Sequence, residues 1–537
     1  MKRTLPAGAD WVAGLSIAGL LLPEAVAYSS IAGLPPQSGV IALFAGLLVY
    51  GLLGTSRFAI VSATSSSAAV LLAATGAMAH QNATLALALC AGIVMLTGLF
   101  FVAAGMARLG AISGLIAKPV LRGFALGLAL TIVLKQLPAV LGFQALHGDF
   151  LGLAWEVIQR WRAWNPAGAV MALVALAFLR ILVRWPLVPG ALLVLAIGIA
   201  LDLGGYSQRW GVVSIGSFAL IFSSPTVPDL AQAQWLSLIQ LAVAMALILY
   251  AESYGSIRTF AMRHGDSVSS NRDLVALGVA NLASALFQGM PVGAGYSATS
   301  ANEAAGAQSR AAGLVAGGVV LLAVLTVLPW IGHTPQPLLG AIVINAVSHS
   351  LNPAALRPYF RWRRDRLIVL VAIAAVVLLG VLDGLLIAIG VSLALLLRSL
   401  SRSRVSWLGR LAQGHDYVDT ARHPQAIVPE GMLIARPEEP IFFGNADAVF
   451  AAVRLHVQSA TSLRRIVLSL EESPNLDATS IEALCDFAVW TRQRNTELVL
   501  ARVKDVVRDV LAQVDSTDLP ATSYAPWSVD DAVRHTV

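Results

Sequence analysis

Ser62-Ala63-Thr64-Ser65 in the first half of the chain and Ser297-Ala298-Thr299-Ser300 in the second are the same four residues in the same order. Each follows a glycine-containing turn, Gly54 to Arg57 in one case and Gly293 to Gly295 in the other. Each then runs on into small, mostly apolar residues. Both lie inside long hydrophobic regions, where rows of hydroxyls are unusual. Matching interruptions in the two halves of a membrane transporter are the best sequence-level pointer to its substrate site. Abundant Ala and Ser, or small residues serving helix packing, would give the same letters without function. The rest of the chain has to decide.

Of the 537 residues, 57% are hydrophobic and 12% charged, which is not the composition of an ordinary soluble protein. Apolar runs of about the 20 residues that a bilayer-crossing helix needs follow one another from Trp11 to Leu397. Past residue 405 or so the composition becomes that of a soluble globular domain long enough to hold its own core. Cys90 and Cys485 fall in these two different regions, so a disulfide is not expected, and neither has partners at metal-ligand spacing. Lys2, Arg3, an apolar run and Ala25-Val26-Ala27 would also suit a secretory signal. Pro23-Glu24 interrupts that run, however, and many more spans follow it.

Fourteen spans are predicted, at 11–31, 38–54, 58–79, 83–107, 111–141, 166–184, 187–204, 235–257, 273–290, 293–307, 311–330, 336–351, 367–382 and 384–400. An even count puts both termini on one side, and positive residues choose the side. With the N-terminus inside, the cytoplasmic connections collect Arg57, Arg108, Arg180, Arg184, Arg258, Arg263, Arg310, Arg357, Arg361, Arg363, Arg364, Arg366 and Arg402. The outer loops keep little beyond Arg160, Arg162 and Arg209. The net charge of +6 therefore reads as membrane orientation, with no nucleic-acid partner.

Fourteen divides into seven plus seven. Seven is odd, so the second half enters from the opposite side, as an inverted repeat. The repeated tetrapeptides then both fall in the third span of their half. Two short helices starting there would aim N-termini, with free N–H groups and partial positive charge, at one point near the midplane. Such a point suits an anion. The site residues expected on this basis are Ser62, Ala63, Thr64, Ser65, Ser297, Ala298 and Thr299.

Two acids lie nearby in corresponding positions. Glu24, after Pro23, is in the first span, and Glu252 is in the eighth, the first of the second half. Charges in the membrane interior are expensive, so such residues usually face a cavity or take up a proton. Both are candidates for coupling transport to protons. The plainer alternatives are an interfacial or helix-bonded acid, or for Glu252 a pair with Arg258. Lys135 in the fifth span reads as a residue that snorkels or pairs, not as one that binds substrate. None of the four lysines (Lys2, Lys118, Lys135 and Lys504) follows a glycine, so no P-loop exists and ATP-driven transport has no support. No H-E-x-x-H or G-x-S-x-G arrangement occurs either, so no enzyme and no cofactor is expected.

The tail alternates strand-like and helix-like segments, the pattern of a small α/β domain. Strands are predicted over 431–435, 441–443, 465–470 and 498–503, and helices over 446–459, 480–494 and after 503. The domain organisation expected is 1–204 and 205–405 for the two repeat halves, a linker over 406–430, and the α/β domain over 431–537. Asn475 to Ser480 precedes a helix, where Asp477, Thr479 and Ser480 suit an N-cap. Phosphorylation or partner docking at Thr479 is the sharper alternative.

Pro23-Glu24-Ala25-Val26-Ala27-Tyr28 followed by Ala32-Gly33-Leu34-Pro35-Pro36 resembles the first-span signature of the sulfate permease (SulP) family. Pro119-Val120, Gly123-Phe124 and Gln136-Leu137 agree with the fifth span, as does the run from Asn271 through Leu277-Gly278 and Ala280-Asn281 to Asn302 and Ala305-Gly306. The tail resembles a STAS domain. The resemblance implies core and gate domains, an anion between the third and tenth helices, elevator-like alternating access and a homodimer. Its implied substrates are sulfate, bicarbonate, chloride and dicarboxylates. Three departures from the family pattern stand out: Glu24 stands where Gln is common, Ser62-Ala63 where Gly-Pro is usual, and Ala298 where many members carry Arg. A carboxylate at 24 implies proton symport. Loss of the Arg favours a monoanion, or an anion entering with protons or Na⁺. Thr479 falls at the position phosphorylated in anti-sigma antagonists, with Ala478 replacing a hydroxyl residue.

The expectation is a proton-coupled anion transporter of a bacterial inner membrane, surrounded by lipid, with both termini cytoplasmic. Two alternatives stay open. One is a nucleobase-type permease of the same fold using Glu252. The other is a membrane-anchored regulator centred on its STAS domain.

Overall fold

The computed structural model describes residues 7–76, 78, 82–110, 117–147, 149–182, 190–216, 224–361, 365–401, 404–412, 414–459, 463–514 and 517–534. The chain forms two compact units, 1–392 and 393–537.

The first unit is helical apart from two very short strands. In chain order it comprises α1 (Gly8–Ile31), α2 (Pro36–Leu53), β1 (Val61–Ser62), α3 (Ser65–Gly76), α4 (Ala83–Met106), α5 (Lys118–Leu141), α6 (Phe150–Gln159), α7 (Pro166–Leu182), α8 (Gly190–Leu203) and α9 (Tyr206–Arg209). The second half continues with α10 (Gln232–His264), α11 (Ser270–Leu286), β2 (Gly293–Ala294), α12 (Tyr296–Ala304), α13 (Ala311–Ile331), α14 (Gln336–Ser348), α15 (Arg357–Arg361) and α16 (Arg366–Leu379), and α17 (Val381–Leu400) begins in this unit and ends in the next. Every predicted span coincides with a helix, except that the third and tenth are each a strand followed by a short helix. Seven helices among the described residues are long and apolar enough to cross a membrane. Pro23 leaves α1 continuous, although it removes one backbone donor there. Arg184, Arg363, Arg364 and Arg402 lie outside the described residues.

The packing has the two-fold regularity of an inverted repeat. Numbering spans from each half's start, α1 matches α10, α2 matches α11, α4 matches α13, α5 matches α14 and α7 matches α16. The contacts come in related pairs: α1 with α13 and α10 with α4; α4 with α11 and α13 with α2; α5 with α16 and α14 with α7. In lipid, where burial of apolar surface does not drive helices together, close backbone approach does much of the work. Gly98 of α4 and Gly278 of α11 provide it. A Cβ on Gly98 would sit 2.9 Å from the Gly278 carbonyl oxygen, and one on Gly278 would sit 2.8 Å from the Gly98 carbonyl oxygen.

The second unit holds β3 (Val405–Arg410), β4 (Tyr417–Asp419), β5 (Met432–Pro437), α18 (Ala446–Ser459), β6 (Arg465–Ser469), α19 (Ala478–Gln493), β7 (Glu497–Ala501), α20 (Asp505–Val514) and α21 (Val529–Arg534). Its five-stranded sheet runs β4-β3-β5-β6-β7, with β5, β6 and β7 parallel and β3 antiparallel to both neighbours. Alternation along the strands builds a core on each face. Leu433, Ile466, Leu468, Leu498 and Leu500 pack with Phe450 and Phe487, whereas Ile434, Val467 and Val499 pack with Val529 and Ala532.

Two expectations for this unit fail. The stretch read as a linker, 406–430, contributes β4 and most of β3; Trp407 of β3 stacks on His456 with ring centroids 3.9 Å apart. The strand expected over 441–443 does not form, because side chains take all three of its amides. Ile441 N donates to Ser473 Oγ, Phe442 N to Asn445 Oδ1 and Phe443 N to Asp477 Oδ2, at 3.0, 2.9 and 2.8 Å. No donor is left for a ladder.

Candidate functional site

The two interruptions meet. β1 and β2 pair antiparallel, Val61 opposite Ala294 and Ser62 opposite Gly293. A two-residue pairing is too short to hold alone, and buried polar groups pin it. Asn281 of α11 binds both the N–H and the C=O of Val292, and Ser253 Oγ of α10 accepts from Ala294 N at 2.8 Å. Gly293 leaves room for Ser253 and Leu249, since a Cβ there would lie 2.9 Å from Ser253 Oγ and from Leu249 Cδ2 and would make those side chains shift. On the other strand's side, Thr299 Oγ1 accepts from Ile60 N and Asn302 Nδ2 donates to Phe58 O.

From this pairing α3 and α12 lead away, and α1 and α10 each pack against both of them. Thr64 and Ser67 cap α3 reciprocally: Thr64 N donates to Ser67 Oγ at 3.1 Å and Ser67 N donates to Thr64 Oγ1 at 3.2 Å. This is a capping box with serine in place of the usual Glu or Gln. The first amides of each helix have no partner inside it, so both helix starts offer N–H groups and partial positive charge.

A carboxylate already stands at the start of α3. Glu252 Oε2 accepts from Ser66 Oγ at 2.5 Å and from Thr64 Oγ1 at 3.2 Å, and the two hydroxyls lie 2.8 Å apart. Glu252 therefore engages hydroxyls of the first half; Arg258 is not its partner. Glu24 on α1 is buried and makes no hydrogen bond or ion pair among the described residues. Lys135 likewise has no ion pair or hydrogen bond among the described residues.

The repeated letters are not structurally equivalent. In the first copy Ser62 ends β1, Ala63 and Thr64 form the turn, and Ser65 opens α3. In the second copy β2 has already ended at Ala294, and Ser297 to Ser300 are all helical. Ser66, not Ser62, stands where Ser297 stands. Ser62 is buried, its hydroxyl donating to Ala63 O. Ala298 is buried in an apolar cluster with Ile17, Leu21 and Val320, so it contributes packing. Thr299 is fully buried and braces β1. Thr64, Ser65 and Ser297 are left at the helix starts. The tetrapeptide stops one residue short of Ser66; the serine run Ser65-Ser66-Ser67 entering a helix is the signal that points to it.

In the second unit Asp477 caps α19, accepting from Ser480 N and Ser480 Oγ, each at 2.9 Å, and from Phe443 N. Burial alone would raise this carboxyl, but those hydrogen bonds hold it below its ordinary range. Thr479 is exposed on the first turn of α19.

Comparison with known proteins follows the same division. A model described as the Sulfate permease family matches residues 8–375, and one described as the STAS domain matches residues 423–525. A "Probable sulfate transporter" of Mycobacterium tuberculosis is 30% identical over 531 residues, 98% of this chain and 94% of that protein. Solute carrier family 26 member 6 of Homo sapiens is 29% identical over 466 residues, 82% of this chain and 61% of that protein. The fold matches murine Solute Carrier 26 family member A9, an anion transporter in the inward-facing state, with a TM-score of 0.91 at 20% identity, covering 99% and 92% of the two chains. The transmembrane domain of the cyanobacterium bicarbonate transporter BicA matches with a TM-score of 0.62 at 21% identity, covering 73% of this chain and 98% of that one.

Proposed function

The chain belongs to the sulfate permease family of membrane anion transporters and carries a STAS domain, and on that premise we propose that it moves a small anion across a bacterial inner membrane by proton-coupled alternating access. The observation that carries this reading is the antiparallel pairing of β1 with β2, which brings the starts of α3 and α12 together beside Glu252. The anion sits between these helix starts, bound by first-turn amides and by the hydroxyls of Thr64, Ser65, Ser66 and Ser297. Each helix end contributes about 1 kcal/mol or more when shielded from water.

Glu252 competes with the substrate for the same hydroxyls. Ionised, it occupies the start of α3 and repels an incoming anion. Protonated, it releases that electrostatic claim. Proton and anion then favour each other's binding by one shared coupling energy, typically ~1–3 kcal/mol. Glu24, buried on α1, is the second carrier of the coupling proton. Ala298 supplies no fixed cation, which favours a monoanion or an anion that enters with protons. Sulfate and bicarbonate, named for the relatives, head the candidates. The arginine distribution puts both termini in the cytoplasm, and a homodimer is the expected assembly. Thr479, exposed at a helix start, is the position proposed for regulation by phosphorylation.

Uptake of radiolabelled sulfate, bicarbonate, chloride and a dicarboxylate into proteoliposomes, with and without an inward proton gradient, tests the reading. Accumulation of one of them that the gradient accelerates supports it. No gradient-dependent uptake of any would overturn it. The nucleobase alternative loses ground because the family match spans residues 8–375 and a STAS domain follows.

A further inference from the structure

A cavity of about 250 Å³ lies beside α3, and its lining includes Ser30, Leu72, Thr131, Lys135, Gln136 and His147. It is smaller than the roughly 300–1,000 Å³ of pockets that hold drug-sized ligands, and suits a small hydrated ion. Its walls come from the end of α1, the middle of α3, α5 and the segment leading into α6. Along α3, Leu72 is seven residues from Ser65, which at 1.5 Å per residue is about 10 Å. Ser30 is six residues beyond Glu24 on α1, about 9 Å. The cavity therefore adjoins the candidate substrate site at the end of the membrane segment where α1 finishes.

Most of its lining is apolar, and Lys135 is its one amine. Lys135 forms no ion pair or hydrogen bond among the described residues. One carboxylate, Glu156, is near the mouth, but it is already committed. It accepts from Leu146 N and His147 N, pairs with Arg160 Nε at 3.2 Å, and contacts His147 Nδ1 at 3.1 Å. The Ser30 hydroxyl and the Gln136 amide add donors beside this lysine, which has no carboxylate of its own, whereas Thr131 Oγ1 already donates to Gly127 O at 2.9 Å. A lysine that merely snorkelled would need no such surroundings.

We propose that this cavity is a second anion site, in which Lys135 holds a small inorganic anion before it passes to the site at the starts of α3 and α12. It supplies the fixed cation that Ala298 does not. The proposal rests on the transport reading above for its second half only; binding at Lys135 stands by itself.

The chain has four lysines, Lys2, Lys118, Lys135 and Lys504, so reaction of Lys135 with an amine-specific acylating reagent is resolved by mass spectrometry of the full-length protein. In sodium gluconate Lys135 should react. Sodium sulfate, chloride or bicarbonate should slow its reaction and leave that of Lys118 and Lys504 unchanged. Failure of Lys135 to react in gluconate, or no protection by any of the three anions, overturns the proposal. The second arm is uptake into proteoliposomes. Loss of a charged hydrogen-bond donor in Lys135→Gln should raise KM about tenfold with little change in maximal rate. Lys135→Arg should stay near wild type. An unchanged KM in Lys135→Gln, with wild type active, also overturns it. Protection of Lys135 in a protein that transports none of these anions would uphold the binding site and sink the transport reading instead.

Discussion

Ser66 of α3 donates a 2.5 Å hydrogen bond to Glu252 of α10, joining the two repeat halves across the point where their short helices begin. The pair links a first-turn residue of one half to an intramembrane acid of the other. A hydrogen bond to a charged group contributes about 1.5–3 kcal/mol. If Glu252 and the anion share these hydroxyls, Ser66→Ala should cut proton-driven uptake by about tenfold or more. Ser66→Thr, which keeps the hydroxyl, should retain most of it. Undiminished uptake by Ser66→Ala would detach this pair from transport.

The roles of the two acids separate by mimicry of the protonated state. Glu24→Gln should keep anion exchange but lose acceleration by an inward proton gradient, together with the alkalinisation outside that accompanies substrate entry. A Glu24→Gln protein that still concentrates substrate when only a pH difference drives it would leave the coupling to Glu252. In that case Glu252→Gln should show the loss.

The crossing of α4 and α11 tolerates no side chain at its closest point. Gly98→Ala and Gly278→Ala each push a methyl against a backbone oxygen of the facing helix. Each should destabilise the membrane unit by about 1–3 kcal/mol. The readout is a lower melting temperature in detergent and a smaller monodisperse fraction. Gly318, whose Cβ would meet nothing within 4 Å, is the control, and Gly318→Ala should behave as wild type.

In the second unit, Asp477→Ala removes the cap of α19, at a cost of about 0.5–2 kcal/mol at neutral pH. The carboxyl is held below its ordinary range in the folded state. Its contribution is therefore complete above the unfolded-state pKa and is lost as pH falls through the depressed folded value. Thermal melts of the 393–537 segment, which has its own core, should show wild type and Asp477→Ala converging as the solution is acidified. A gap that persists at the acidic end would mean the cap does not act through its charge.

Much of the fold is legible from hydropathy, because each membrane segment must satisfy its own backbone and so announces itself as an apolar run. α1, α2, α4 and α13 begin and end within a few residues of the predicted spans. α18 runs over 446–459, as its amphipathic pattern predicts. In the tail the pattern misleads where amides find side-chain partners. Ile441-Phe442-Phe443 is apolar enough for a strand but spends its donors on Ser473, Asn445 and Asp477. β4 escapes notice because it is three residues long, and β3 because its identity as a strand depends on pairing with β4 and β5.

The sequence by itself determined that two halves of this chain carry matching polar interruptions inside apolar spans, since composition and spacing are local properties. It also placed Glu24 in the first span and Glu252 in the eighth, because counting spans suffices for that. Only the tertiary structure decided which residues of the two interruptions correspond. The letters align Ser62 with Ser297, but α3 begins at Ser65 and α12 at Tyr296, so Ser66 and Ser297 are each the second residue of their helix. Strand register is fixed by hydrogen bonds between distant segments, here through Asn281 and Ser253, and no reading of either segment alone contains them. The same holds for Lys135: the cavity before it arises from how α1, α3 and α5 pack together.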